Sequence, residues 1–162
     1  MIEIESGCGG RPGLASLEPS DTAKVLGFFG RLSRESVYQR FFSPITKPER
    51  FTASILHVDH HDREAVAAVE GGEVVGIAQY SRLPDSRQAD LAVVVADDWQ
   101  RQGIGTRLIA ALGDRAVSHG IVAFTVSVQG DNYGVMRLLR RVNPDVRLKF
   151  SSGVGEGVIP LS

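Results

Sequence analysis

Residues 88–129 carry the pattern that most restricts how this chain can fold. An almost wholly apolar run, QADLAVVV (88–95), is followed by an amphipathic stretch from about Gly103 to His119 and by a second apolar run, IVAFTVSV (121–128). Apolar runs without alternation belong to strands covered on both faces. A helix between two of them carries the chain back to the same end of the sheet, so the strands pair in parallel. Ile104, Leu108, Ala111 and Leu112 share one side of this helix and are expected against the sheet. Arg107, Asp114 and Arg115 are expected to face water. Gly120 is the expected C-terminal stop.

The flanking segments have other periods. EAVAAVE, the pair Gly71-Gly72 and EVVGIAQY read as a hairpin, because two glycines adopt the positive φ angles of a tight primed turn. Leu14 and Leu17 mark a short first strand, and Ser20 is placed to cap a helix with Val25, Leu26, Phe28, Phe29 and Leu32 on its apolar side. Ser33 opens a second helical piece, SRESVYQRFF, and Thr46 with Glu49 forms a capping box for a third. A last helix over about Tyr133 to Val142 precedes a strand pair near 146–151 and 157–161. Residues 1–13, rich in glycine from residue 7, read as a flexible arm. With 162 residues, 43% of them hydrophobic, the chain is expected to form a single domain, 1–162. The mixture of helices with hairpins gives an α/β (α+β) class with a mostly antiparallel sheet of six to seven strands.

Composition bears on partners. A net charge of −1 gives no footprint for nucleic acid, and no apolar run reaches membrane-spanning length. The lone Cys8 rules out an intramolecular disulfide, and the acidic MIEIE opening is unlike a signal peptide, so a cytoplasmic location is expected.

At the mouth of the 103–119 helix stands QRQGIG (100–105), with two glycines one residue apart. A glycine inside a helix costs roughly 0.8 to 1 kcal/mol against alanine. One reading is a ligand that approaches the backbone: the first-turn amides of any helix lack intrahelical partners, and the dipole favours an anion there. Gln100, Arg101 and Gln102 would add donors at the rim. The other reading is a helix start with two harmless glycines. A dinucleotide fingerprint fails, since ADDWQRQ separates the strand from the glycines and Leu108 stands near the place of the third glycine. A nucleoside-triphosphate P-loop fails as well, because Gly105-Thr106-Arg107 lacks the Gly-Lys-Ser/Thr ending.

In this setting QRQGIG resembles the Gln/Arg-x-x-Gly-x-Gly/Ala signature of the GNAT superfamily of acyl-CoA-dependent N-acyltransferases, and the likeness runs from about Leu14 to Val142. LSRESVYQRFF, HVDHHDREAVAAV and ADLAVVVADDWQRQGIGTRLI are similar to the acetyltransferase domain of bacterial protein-lysine acetyltransferases. No counterpart of the nucleotide-sensing or synthetase-like domains that such proteins often carry is expected within these 162 residues. The resemblance implies acetyl-CoA as cosubstrate, lying along Val93, Val94 and Val95 with backbone groups near Val93 and Val95 bonding its pantetheine arm. Its pyrophosphate would meet the amides of Gln100, Arg101, Gln102, Gly103, Ile104, Gly105 and Thr106, with the Thr106 hydroxyl on a phosphate oxygen. Asn132 matches a position that touches the cofactor, and it also suits a helix N-cap.

The resemblance further implies a catalytic carboxylate. An amine of pKa about 10.4 must lose its proton before it attacks. Asp90 stands where the lysine acetyltransferase pattern has glutamate; it is one methylene shorter, and a bridging water would restore its reach. Its alternative is a strand-end residue that pairs with Arg87. Many members carry a tyrosine further along the last helix, MRLLRRV has none, and no general acid is assigned. Tyr38, Arg40, Phe41 and Phe42 lie in the segment that borders the acceptor channel, and Trp99 reads as an anchor beneath the loop. HVDHHD has atoms enough for a metal but on one short loop, and no metal is expected. Two functions follow: an N-acetyltransferase acting on a primary amine such as a protein lysine, or an acyl-CoA-binding sensor with little turnover. The acceptor and the oligomeric state, a homodimer included, stay open.

Overall fold

The computed structural model describes residues 2–5, 12–32 and 56–161. The described elements are β1 (Ile2–Glu5), β2 (Gly13–Ser16), α1 (Thr22–Gly30), β3 (Arg63–Glu70), β4 (Glu73–Arg82), β5 (Gln88–Val95), α2 (Ile104–Ser118), β6 (Ala123–Gln129), α3 (Tyr133–Val142), β7 (Lys149–Ser151) and β8 (Val154–Pro160). The strands form one sheet in the order β1-β2-β3-β4-β5-β6-β8-β7. Every neighbouring pair is antiparallel except β5 and β6, the parallel pair joined through α2.

The sheet therefore has eight strands where six to seven are expected. The additional one is β1, which pairs with β2 inside the stretch read as a flexible arm. The helical pieces that begin at Ser33 and near Thr46 lie outside the described residues.

Apolar side chains fill both faces. Val66 and Ala68 of β3 join Leu108 and Leu112 of α2, Phe124 of β6 and Leu139 of α3 on one face. Ala65 and Ala67 turn to the other, where Val25 and Phe28 of α1 and Ile77 of β4 complete a second core. Strand alternation explains this split, and each large side chain so buried contributes about 1.5 to 3 kcal/mol. The hairpin turn has φ 59° at Gly71 and 80° at Gly72, which a residue with Cβ seldom adopts at both positions.

One expectation for α2 is corrected. Arg115 does not simply face water: its Nη1 lies 3.0 Å from Oε2 of Glu64, whose side chain is fully buried at the start of β3. The other side of that carboxylate meets His60 Nδ1 at 3.0 Å, and His60 Nε2 reaches Glu18 at 3.1 Å. A buried carboxylate is tolerable only with such partners. Burial works against the His60 imidazolium, but the two carboxylates outweigh it and raise its pKa above the ordinary 6.5. A raised folded pKa stabilises the protein fully below the unfolded value and less as pH climbs through the folded one. In thermal melts from about pH 6 to 8.5, wild type should lose more of its melting temperature than His60→Gln. Parallel curves for the two proteins would remove His60 from the linkage.

Candidate functional site

The parallel β5–β6 pairing is short. It registers Gln88 with Ala123, Ala89 with Phe124 and Asp90 with Thr125, and then stops. Beyond that point β6 continues beside β8 to Gln129, while β5 continues beside β4 to Val95. The two strands diverge into a wedge, and a cleft of about 790 Å³ occupies it. Leu91 to Val95 line one wall and Val126 to Val128 the other, with α3 and the 97–106 loop closing the remainder.

Ladder alternation fixes which backbone groups face this cleft. Leu83 N–H donates to Gln88 O and Ala96 N–H to Val75 O, so the even residues of β5 are bonded to β4. Val122 N–H donates to Arg87 O, which places the odd residues on the β6 side. Where β6 has departed, the C=O of Leu91, the N–H and C=O of Val93 and the N–H of Val95 point into the wedge. The Val95 carbonyl accepts from Gln100 Nε2 at 3.0 Å.

The loop after β5 is shaped around its backbone. A single 3₁₀ turn over Asp97–Trp99 leads to Arg101 with φ 63° and Gly103 with φ 79°, and α2 begins at Ile104. A non-glycine residue held at positive φ costs of order 1 to 3 kcal/mol and marks a segment whose conformation matters. Trp99 packs against both cores beneath the loop. The N-cap of α2 is Gly103, which has no side chain to cap the first turn, and Ile104, Gly105 and Thr106 of that turn line the cleft.

The two glycines answer different needs. At Gly103 a Cβ would meet nothing within 4 Å, and the left-handed backbone is the reason for glycine. At Gly105 a Cβ would stand 2.8 Å from Leu138 Cδ2, so this glycine lets α3 pack onto the first turn of α2. The explanation by ligand approach alone is corrected for Gly105. The glutamines need correction too: Gln100 holds the Val95 carbonyl, and Gln102 Nε2 donates to Asp98 O at 3.2 Å. Both side-chain amides brace the loop itself.

Of the residues singled out in sequence, Asp90, Val93, Val94, Val95, Gln100, Arg101, Gly103, Ile104, Gly105, Thr106 and Asn132 line the one cleft, and Gln102 does not. The Asn132 Oδ1 accepts from Val135 N–H at 3.2 Å, so it is the N-cap of α3 as well. Asp90 sits where the strands part. It is exposed, the Thr125 hydroxyl donates to its Oδ1, and Gln79 and Ser81 of β4 line the same part of the cleft. Arg87 is not its partner, reaching Gly120 O at 3.4 Å instead. Arg82 is engaged by Asp62 at 2.7 Å and by the carbonyl of Ser86 at 3.2 Å. Tyr38, Arg40, Phe41 and Phe42 lie outside the described residues. In HVDHHD the side chains bind one another and the chain around them, and among the described residues no group of three His, Cys, Asp or Glu is arranged to hold a metal ion.

Among the cleft residues that the sequence reading did not single out are two cations, Arg137 and Arg141, both on α3. The available signal was the i, i+4 spacing of the two arginines on the helix that Asn132 opens.

Comparison with known proteins agrees with this geometry. The acetyltransferase (GNAT) family profile matches residues 33–143. Acetyltransferase Pat of Mycolicibacterium smegmatis is 32% identical over 128 residues, which cover 76% of this chain and only 38% of that longer protein. The GNAT domain of S. lividans PAT superposes with a TM-score of 0.87 at 24% identity, over 99% of this chain and 96% of that one. A putative acetyltransferase, yncA from Salmonella typhimurium, solved with its cofactor acetyl-CoA, superposes with a TM-score of 0.73 at 14% identity, over 92% and 93% of the two chains.

Proposed function

Because the chain belongs to the GNAT acetyltransferase family, we propose that it transfers an acetyl group from acetyl-CoA to a primary amine, with a protein lysine as the acceptor class. The observation that carries this reading is the parting of β5 from β6 at Asp90 and Thr125, which sets unpaired strand backbone, the first turn of a helix and a carboxylate along one cleft. The residues present fit acetyl-CoA. The backbone of Val93 and the Val95 N–H suit the amides of a pantetheine arm, as an added strand would use them. The amides around Gly103 to Thr106, with the Thr106 hydroxyl and Arg101, suit a pyrophosphate. When bound, the cosubstrate supplies an activated acyl thioester.

Asp90 accepts the proton of the acceptor ammonium, directly or through a water. About one amine in a thousand is neutral at pH 7, so this proton removal is worth about 4 to 5 kcal/mol of barrier. The Thr125 hydroxyl occupies Oδ1 of Asp90 and leaves the second carboxylate oxygen for the acceptor. The amine then attacks directly, a C–N bond forms as the C–S bond breaks, and the second amine proton passes to the leaving thiolate or to solvent. A thiol of pKa near 8.5 needs little help in leaving, so the scheme requires no general acid.

The purified chain incubated with labelled acetyl-CoA and bacterial proteins should release free CoA and leave label on lysine side chains, as mass spectrometry would read. Failure to release CoA or transfer label to any protein or small amine, from a folded chain, would overturn the proposal.

A further inference from the structure

Coenzyme A carries a charged group that the cleft described so far does not meet. Besides the pyrophosphate it has a ribose 3′-phosphate, a monoester with second pKa near 6 and so close to two negative charges at neutral pH. The first-turn amides of α2 and Arg101 account for the pyrophosphate. The remaining cations of the cleft wall are Arg137 and Arg141.

We infer that Arg137 and Arg141 form a second anion site on α3, which takes the 3′-phosphate and makes the protein select CoA over its dephosphorylated form. This rests on the acetyl-CoA reading above. At about 100° per residue, Arg137, Leu138 and Arg141 fall within roughly one third of the circumference of α3. Leu138 is the residue seated on Gly105, at the first turn of α2. Both arginines therefore lie on one side of the contact between α3 and the first turn of α2. Each is exposed, and neither is ion-paired with a carboxylate among the described residues. The acidic residues of the cleft lie elsewhere: Asp90 where the strands part, Asp97 in the 3₁₀ turn, and Asp131 ahead of α3. Two guanidinium groups one helical turn apart suit a phosphomonoester, since each offers paired donors to its oxygens.

Arg140 provides the control. It lies on the same helix, is exposed and carries the same charge, but it does not line the cleft. Titration calorimetry with CoA and with 3′-dephospho-CoA should show wild type preferring CoA by about tenfold to a hundredfold, as charged hydrogen bonds allow. In the double variant Arg137→Ala/Arg141→Ala that preference should fall to near one, and in Arg140→Ala it should survive. Thermal melts of the variants verify that they fold.

An equal loss of affinity for both ligands in the double variant would overturn the inference, because the arginines would then serve the pyrophosphate. So would a preference that is absent in wild type or unchanged in the double variant. If folded wild type binds neither ligand, the acetyl-CoA reading itself fails, and the inference with it.

Discussion

Asp90→Ala should lower the rate of acetyl transfer at pH 7 by about a hundredfold to ten-thousandfold, the range that a positioned general base contributes. The deficit should shrink as pH rises toward the pKa of the acceptor amine near 10.4, because solvent then supplies the neutral amine that Asp90 otherwise generates. Affinity for acetyl-CoA should stay near wild type: Asp90 sits where β5 and β6 part, at the opposite end of β5 from the 97–106 loop. Three measurements separate the explanations. A fall in kcat with unchanged cosubstrate binding and a pH-dependent deficit identifies a base. A uniform deficit at every pH points to lost positioning. An unchanged rate at all pH values removes Asp90 from the chemistry. Asp90→Glu tests the geometry, since it restores the carboxylate with one more methylene; it should keep far more activity than Asp90→Ala.

How much of this was legible in the sequence depends on the distance over which each feature is determined. The β5–α2–β6 unit was readable because its cause is local: apolar runs, helical periodicity and a glycine stop lie within about forty residues, and α2 and α3 begin and end within a residue or so of the expected positions. The hairpin turn was readable for the same reason. The strand β1 was not, since four residues beside a glycine-rich stretch acquire their role only by pairing with β2. The wedge was invisible as well. Nothing in QADLAVVV or IVAFTVSV announces that their pairing stops at Asp90 and Thr125, because that is a property of two strands with different neighbours. Arg115 was misjudged on the same ground. Its helical position points outward, and only the fold brings the buried Glu64 beneath it. At the loop, the presence of glycines was legible but the cause of each was not: Gly103 answers a local φ, Gly105 a contact 33 positions away along the chain.

That last distinction makes the strongest structural test. Gly105→Leu should weaken acetyl-CoA binding by more than about tenfold and cost about 1 to 3 kcal/mol of stability, the usual penalty for overpacking. The added side chain must enter the space held by Leu138, since even a Cβ would lie 2.8 Å from its Cδ2. The helix that has to yield is α3, which carries Asn132, Tyr133, Arg137 and Arg141 along the cleft, so a packing fault becomes a binding fault. Two accounts of the same loss then diverge. If Gly105 exists for helix packing, removing its neighbour should compensate, and Gly105→Leu/Leu138→Ala should recover much of the melting temperature together with part of the affinity. If Gly105 exists so that a ligand can approach bare backbone, the second substitution should leave binding as poor as before, and Gly105→Leu alone should hardly change stability. A double-mutant cycle on melting temperature and on acetyl-CoA affinity reads the coupling directly. Additive effects of the two substitutions would show that Leu138 is not what requires glycine at position 105.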